Sequence, residues 1–260
     1  MNDERVTALP LNFESPHELR ARIERYLCEL EPSLDFGNPL LNFFVSNQGA
    51  LMNKWLHYFD IYDRHFKRYR GAPVRMLEIG VYHGGSLGMW RDYFGDGLQL
   101  IGVDINPRAK AFEAPGVSVR IGDQSDPEFL KKLRDEFGEV DIILDDGGHS
   151  CHQQITSYRH LYDMVAPNGV YMVEDVHTSY WQEYGGGLQR PESFLEFSKH
   201  WVDELNSFHV REWLPEQHSS LARSAHSVTF YDSIVAVEKR PKRPPVAKMT
   251  GQMSFLGMDE

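Results

Sequence analysis

Cysteine is nearly missing from this chain. Only Cys28 and Cys151 occur, with no second cysteine nearby and no metal-ligand spacing. That excludes a disulfide framework and a thiolate zinc cluster, and it points to a reducing compartment. Nowhere does the sequence run through the roughly 18 uncharged apolar residues that a membrane span needs. The opening MNDERVTALP is charged and has no apolar core, so it does not read as a secretory leader. A soluble, cytoplasmic protein with no membrane partner is expected. Positive charge is also short: 27 Lys and Arg against 38 Asp and Glu leave a formal charge of −11. Such a balance repels a polynucleotide backbone, so no nucleic-acid partner is expected. The 260 residues are enough for one substantial domain with its own core.

What is present changes character along the chain. In residues 15–31, Leu19, Ile23, Leu27 and Leu30 recur at helical spacing. A loop around Gly37-Asn38-Pro39 leads to a second predicted helix, about Leu51 to Tyr69. It carries Trp55, Tyr58, Phe59, Tyr62 and Phe66 on one face, and Lys54, Arg64, Lys67, Arg68 and Arg70 as a solvated face. The aromatic face reads chiefly as packing, and it makes self-association into a homo-oligomer an expectation. After Gly71-Ala72-Pro73 the pattern becomes RMLEIGV, LQLIGVDI, VSVRIGD, VDIILDD and VYMVEDV, separated by helical stretches; a helix is predicted around Pro191 to Ser207, and SVTFYDSIVAVEKR closes the pattern as a hairpin turning at Asp232-Ser233. Strands alternating with helices imply right-handed crossovers and a mostly parallel sheet. The expected fold is α/β: a doubly wound, Rossmann-like, seven-stranded sheet with a terminal antiparallel hairpin. Residues 1–70 form a helical extension that caps the site or makes an oligomer contact, 71–241 the core, and 242–260 a mobile tail.

Leu77-Glu78-Ile79-Gly80-Val81-Tyr82-His83-Gly84-Gly85-Ser86 puts glycines where a first strand turns sharply into a helix against a ligand. Glu78, Gly80, Gly84 and Ser86 are the candidate cofactor residues here. The spacing departs from G-x-G-x-x-G, which disfavours NAD. Asp104 ends the second strand, where an acid accepts ribose hydroxyls, and Asp123 ends the third, beside an adenine ring.

Two acidic clusters, Asp145-Asp146-Gly147-Gly148-His149 and Glu174-Asp175, close the fourth and fifth strands. Acids brought together at one sheet edge are costly without a cation. Asp146, Glu174 and Asp175 are therefore the candidate metal ligands. An all-carboxylate set suits Mg²⁺ before Mn²⁺ or Ca²⁺. Glu174 and Asp175 converge only if the chain leaves the sheet there, because neighbours on a strand point to opposite faces. His149 is the candidate catalytic base, facing the mouth without competing for the metal, and Asp145 orients the cofactor's amine. The competing reading of such acids is helix capping. His152 and His177 read as polar loop or surface groups.

LEIGVYHGGSLGMW, IGVDI, DDGGH, EDVHTSYW and HSVTFYDSIVAVEK, with KWLHYFDIYDRHFKRYRG before them, resemble the metal-dependent sugar O-methyltransferases of antibiotic biosynthesis, the mycinamicin and macrocin type, over about residues 50–240. The resemblance implies a class I methyltransferase fold, S-adenosylmethionine as methyl donor, and Mg²⁺ on the acceptor sugar's hydroxyls. Carried over by motif, the ligands fall on Asp146, Glu174 and Asp175, and the base on His149. The implied acceptor is a small-molecule deoxysugar, of the TDP-rhamnose nucleotide-sugar type. The alternative is a metal-dependent hydroxylase of the cephalosporin-hydroxylase type, which looks similar in this region.

Overall fold

The structure is a computed structural model that describes residues 16–30, 34–212 and 214–252. The opening MNDERVTALP and the last eight residues of the predicted tail lie outside the described residues. In chain order, α1 (Pro16–Leu30), α2 (Pro39–Val45) and α3 (Tyr58–Phe66) precede β1 (Val74–Ile79). Then come α4 (Gly85–Phe94), β2 (Leu98–Asp104), β3 (Val117–Ile121), α5 (Pro127–Phe137), β4 (Val140–Asp145), α6 (Cys151–Leu161) and β5 (Val165–Val173). The chain finishes with α7 (Phe194–Lys199), α8 (Trp201–Leu205), α9 (Ser220–Ser224), β6 (Ala225–Phe230) and β7 (Val235–Lys239).

Among the described residues the strands form one seven-stranded sheet in the order β3-β2-β1-β4-β5-β7-β6. The first five are parallel, and β7 runs antiparallel to both β5 and β6. This is the expected doubly wound sheet with its terminal hairpin. The order reverses between β1 and β4, and ligands collect at such a switch point. β4 lies beside β1, as the motif reading requires, whereas β5 lies one strand further out, beside β4.

Burial on both faces explains the near-continuous apolar strands. Met76, Leu100, Ile142 and Met172 belong to one hydrophobic cluster, and Leu77, Ile101, Ile143 and Tyr171 to the other. The period of two along each strand thus divides the core into two layers. Local caps fix the helix starts. Asn38 Oδ1 accepts from the Leu40 backbone N–H (2.9 Å) with Pro39 in the first turn, and Ser150 and Gln153 form a capping box at α6.

Two expectations need correcting. The helix foreseen from Leu51 begins only at Tyr58, because residues 51–57 leave helical geometry to run as a strap across the carboxyl edge of the sheet. A tertiary pull on Lys54, described below, overrides the local periodicity. The helix foreseen from Pro191 to Ser207 divides at His200 into α7 and α8. Tyr58, Phe59, Tyr62 and Phe66 are buried in the same cluster as Trp90 and Met76. Most of the aromatic face is thus packing, as its chief reading held, while Trp55 is 46 % exposed. Among the described residues no helix is long and apolar enough to cross a membrane.

Candidate active site

Strand register assembles the site before any side chain is considered. Ile79 pairs with Asp145, and Asp145 with Val173. The next residues, Gly80, Asp146 and Glu174, therefore leave the sheet in one row. Backbone bonds from Asp146 N–H to Ile79 O and from Glu174 N–H to Asp145 O, both 2.9 Å, extend the ladder by one rung. Gly80 has φ +97°, and a Cβ there would lie 1.9 Å from the Asp146 carbonyl oxygen. Only glycine lets the turn after β1 pass this close to the end of β4. Gly84, at φ +78°, faces the Phe112 ring in the same way.

The turn opens onto a cavity of about 580 Å³. Gly80, Ser86, Asp104 and Asp123 line one side, Asp146, His149 and Asp175 the other, and Leu51 to Lys54 of the strap cover it. Asp104 Oδ2 accepts from the Val81 and Tyr82 backbone N–H groups at 3.0 and 2.8 Å, and Oδ1 from that of Asn106 at 2.8 Å. A carboxylate has about four lone-pair sites, so one remains for a hydroxyl donor. Asp123 Oδ1 accepts from the Ser125 backbone N–H and hydroxyl at 2.7 Å each.

Four of the candidate residues stand behind the wall rather than on it: Glu78, Gly84, Asp145 and Glu174. Trp90 Nε1 and Ser86 Oγ, at 3.0 and 3.1 Å, donate to the fully buried Glu78 carboxyl, which ties α4 to β1. Burial pushes that carboxyl up to about 7 against the opposing pull of Lys54. Asp145 is also buried. Its Oδ1 accepts from Gln124 Nε2 (2.9 Å), while Oδ2 has no partner among the described residues. Burial raises Asp145 to about 7, with the hydrogen bonds from Gln124 and Ser157 opposing. Between about pH 4, where an unfolded aspartate titrates, and pH 7, the folded chain holds a proton that the unfolded chain releases. The stability from this group is thus complete at low pH and lost as pH rises towards 7. The Asp145→Asn variant, free of metal, is expected to lose less stability than the parent from pH 5 to pH 8. Urea midpoints at the two pH values check it, and parallel declines would refute it.

The acidic groups converge around Lys54. Lys54 Nζ donates to Asp146 Oδ2 and, at 2.8 Å, to Glu174 Oε2, with only 4 % of the lysine side chain exposed. Tyr62 Oη donates to Glu174 Oε1 (2.5 Å) and Tyr58 Oη to Asp175 Oδ1 (2.7 Å). Asp175 adopts φ +52°, so the chain does leave the sheet there, and its carboxylate turns back towards Asp146. Burial lowers the Lys54 pKa, but the charges of Asp146 and Glu174 outweigh it and hold the ammonium protonated. Burial and the repulsion of Asp146 push Glu174 well up. With one ammonium between two carboxyl groups, a second negative charge on the pair is costly, and this adds to burial in pushing Glu174 up.

Lys54 was expected on a solvated face. Its burial is the largest departure from the sequence reading, with its partners 92 and 120 residues away. Tyr58, Tyr62 and Gln124 were likewise not foreseen as site residues. The one sequence signal is the four-residue spacing of Lys54, Tyr58 and Tyr62.

One ligand atom each from Asp146, His149 and Asp175 lies within 4.8 Å of the others. His149 Nε2 stands 3.5 Å from Asp175 Oδ2 and 3.9 Å from Asp146 Oδ1, and its buried Nδ1 has no partner among the described residues. Two carboxylates facing an open cavity suit a hard divalent cation, while the imidazole stands near enough to ligate as well. The sequence expectation that His149 stays clear of the metal position is thus not reproduced. Glu174 has one donor on each oxygen, and an ion shared with it would face the Lys54 ammonium. His177, read as a surface group, bonds through Nδ1 to Ser233 Oγ, 3.9 Å from Asp175 Oδ1. It packs edge-on against Trp181 and Trp55, at 4.8 and 5.8 Å between ring centres.

The chain matches the methyltransferase domain family over residues 77–176. It is 36% identical over 202 residues to demethylmacrocin O-methyltransferase of Streptomyces fradiae, covering 73% of this chain and 51% of that one. To mycinamicin VI 2''-O-methyltransferase of Micromonospora griseorubida it is 41% identical over 140 residues, covering 51% and 35%. The chain spans about half the length of the first curated relatives it matches. Among solved structures, the MycE methyltransferase of the mycinamycin pathway, in complex with Mg, SAH and mycinamycin VI, superposes with a TM-score of 0.68. That match has 26% identity and covers 90% of this chain and 66% of MycE. The chain is therefore a homologue of the sugar O-methyltransferases of macrolide and tetracenomycin biosynthesis, built on the class I methyltransferase fold.

Proposed function

We propose that this chain transfers a methyl group from S-adenosylmethionine to a hydroxyl of a deoxysugar during antibiotic assembly, with a divalent cation, Mg²⁺ first, at the acidic edge. The observation that carries the reading is the convergence of Asp146, His149 and Asp175 on the mouth of a cavity whose other wall is the glycine turn with Asp104 and Asp123. The relatives named above are O-methyltransferases of glycosylated antibiotics, and MycE binds Mg and SAH. None of them favours the hydroxylase alternative.

In this reading the turn after β1 receives the methionine portion of the cofactor, Asp104 accepts from the ribose, and Asp123 stands by the adenine. Asp146 and Asp175 would hold the ion, with Glu174 as a third carboxyl group beside them. When bound, the ion would stabilise negative charge developing on the acceptor oxygen, and the cofactor would supply the methyl group from its sulfonium and leave as a thioether. His149 Nε2 is placed to take the proton that the acceptor hydroxyl gives up. Trp55 and Trp181, each nearly half exposed, flank His177 beside Asp175 and offer ring faces to the acceptor. A nucleotide sugar of the TDP-rhamnose type is the acceptor class proposed.

The test is methyl transfer to TDP-deoxysugars and to glycosylated aglycones, with Mg²⁺ present or chelated. Chelation is expected to abolish turnover, and added Mg²⁺ to restore it. The product should be heavier by one CH₂ group. A gain of one oxygen instead would assign the hydroxylase, and undiminished turnover after chelation would remove the metal from the mechanism.

A further inference from the structure

We propose that Lys54 is a built-in counter-cation whose place a divalent ion takes, so that metal binding and withdrawal of the strap carrying Lys54 are one event. The inference deepens the metal-site reading above and rests on it. Its first support is electrostatic. Asp146 Oδ2 and Glu174 Oε2 both accept from Lys54 Nζ, and Tyr62 donates to the other oxygen of Glu174. An ion drawing on both Asp146 and Glu174 would sit against that ammonium, and two cations so close repel. A divalent ion would also balance two negative charges where the ammonium balances one, at the buried Glu174 and at Asp146, whose side chain is 20 % exposed.

The second support lies in how lightly the strap is held. Between Gly49 and Trp55 most residues are exposed, and Met52 and Lys54 are the side chains turned inward. Segments with few buried contacts open at low free-energy cost, whereas the helix that follows is locked by Tyr58, Phe59 and Tyr62 in the core. The third is position. Leu51, Met52 and Asn53 cover the cavity, and a Cβ on Gly85 would lie 2.5 Å from the Leu51 carbonyl oxygen and 2.7 Å from that of Ala50. The strap rests flush on the start of α4, across the cofactor wall. Releasing Lys54 therefore uncovers the cavity at the moment the acids are neutralised by the ion. Lys54 acts through Asp146 and Glu174, as a positioning residue.

The experiment is calorimetric titration of Mg²⁺ alone into the parent protein and the Lys54→Gln variant. Losing a competing charge-assisted contact is expected to tighten Mg²⁺ binding by about tenfold or more. The metal-free variant should also melt lower than the parent and regain more on adding Mg²⁺. Equal or weaker affinity in Lys54→Gln would overturn the proposal. The parent chain gives a second readout that does not depend on the variant folding. Trp55 adjoins Lys54 and is packed against His177, so Mg²⁺ should change the tryptophan emission of the parent, and Trp55→Phe should lose that change. Heat of binding without any change from Trp55 would mean that the strap stays in place and would equally overturn it. If neither parent nor variant binds Mg²⁺, the metal-site reading itself falls. Binding to the parent with unchanged affinity in Lys54→Gln removes only the role of Lys54.

Discussion

His149→Ala is expected to lower the rate of methyl transfer by about 10²- to 10⁴-fold, the usual contribution of a positioned general base. The imidazole stands 3.5 Å from Asp175 Oδ2 and 3.9 Å from Asp146 Oδ1, at the lip of the cavity. It is held there by backbone rather than by side-chain bonds. His149 has φ +56°, and its carbonyl accepts from Thr178 Oγ1 at 2.7 Å, while Nδ1 is buried without a partner among the described residues. Removing the ring should therefore leave the acids where they are. Base and ligand roles separate on one measurement. A base predicts that Mg²⁺ affinity in His149→Ala stays within a few-fold of the parent as turnover collapses. A ligand predicts that affinity falls with the rate. Full turnover in the variant would remove His149 from the chemistry altogether.

Gly80→Ala should be the most damaging small substitution in the chain. The residue has φ +97°, a region that side chains other than glycine occupy only under strain of about 1–3 kcal/mol. The added methyl would also meet the Asp146 carbonyl oxygen at 1.9 Å and Gly147 Cα at 3.2 Å. Both are backbone, so neither can swing aside, and overpacking of that kind costs about 1–3 kcal/mol more. Relief would require the ends of β1 and β4 to part, which displaces Asp146 and the cofactor turn together. The expected result is a stability loss of about 2–6 kcal/mol in urea unfolding, with cofactor binding weakened in whatever protein remains folded. Gly71→Ala is the control. Gly71 has φ +70° but nothing within 4 Å of an added Cβ, so it carries the strain without the collision. Equal losses in the two variants would show that the contact with Asp146 is unimportant.

The architecture was legible because its signals are local. Apolar strands buried on both faces, helix caps at Asn38, Asp126 and Ser150, and glycines at the turn each act within a few residues. The row of Gly80, Asp146 and Glu174 was legible for the same reason, since parallel strands that alternate with helices must bring their carboxyl ends to one edge. The strap was misread because LMNKWLHYF carries helical periodicity into α3, and nothing local says that Lys54 will be drawn 120 residues along the chain to Glu174. Glu78 was read as a cofactor contact from its place in the glycine motif. Ser86 and Trp90, in the first and second turns of α4, take its carboxylate inward.

By itself, then, the sequence determined the doubly wound sheet, the edge at which chemistry can occur and the acids that gather there, because period, turn and cap are short-range properties of the chain. Tertiary structure alone decided which of those acids face the cavity, which are held by Tyr58, Tyr62 and Lys54, and where His149 points. Those outcomes depend on charges and hydroxyls from distant segments meeting in a space with little water, where one buried cation outweighs the propensities of the residues around it.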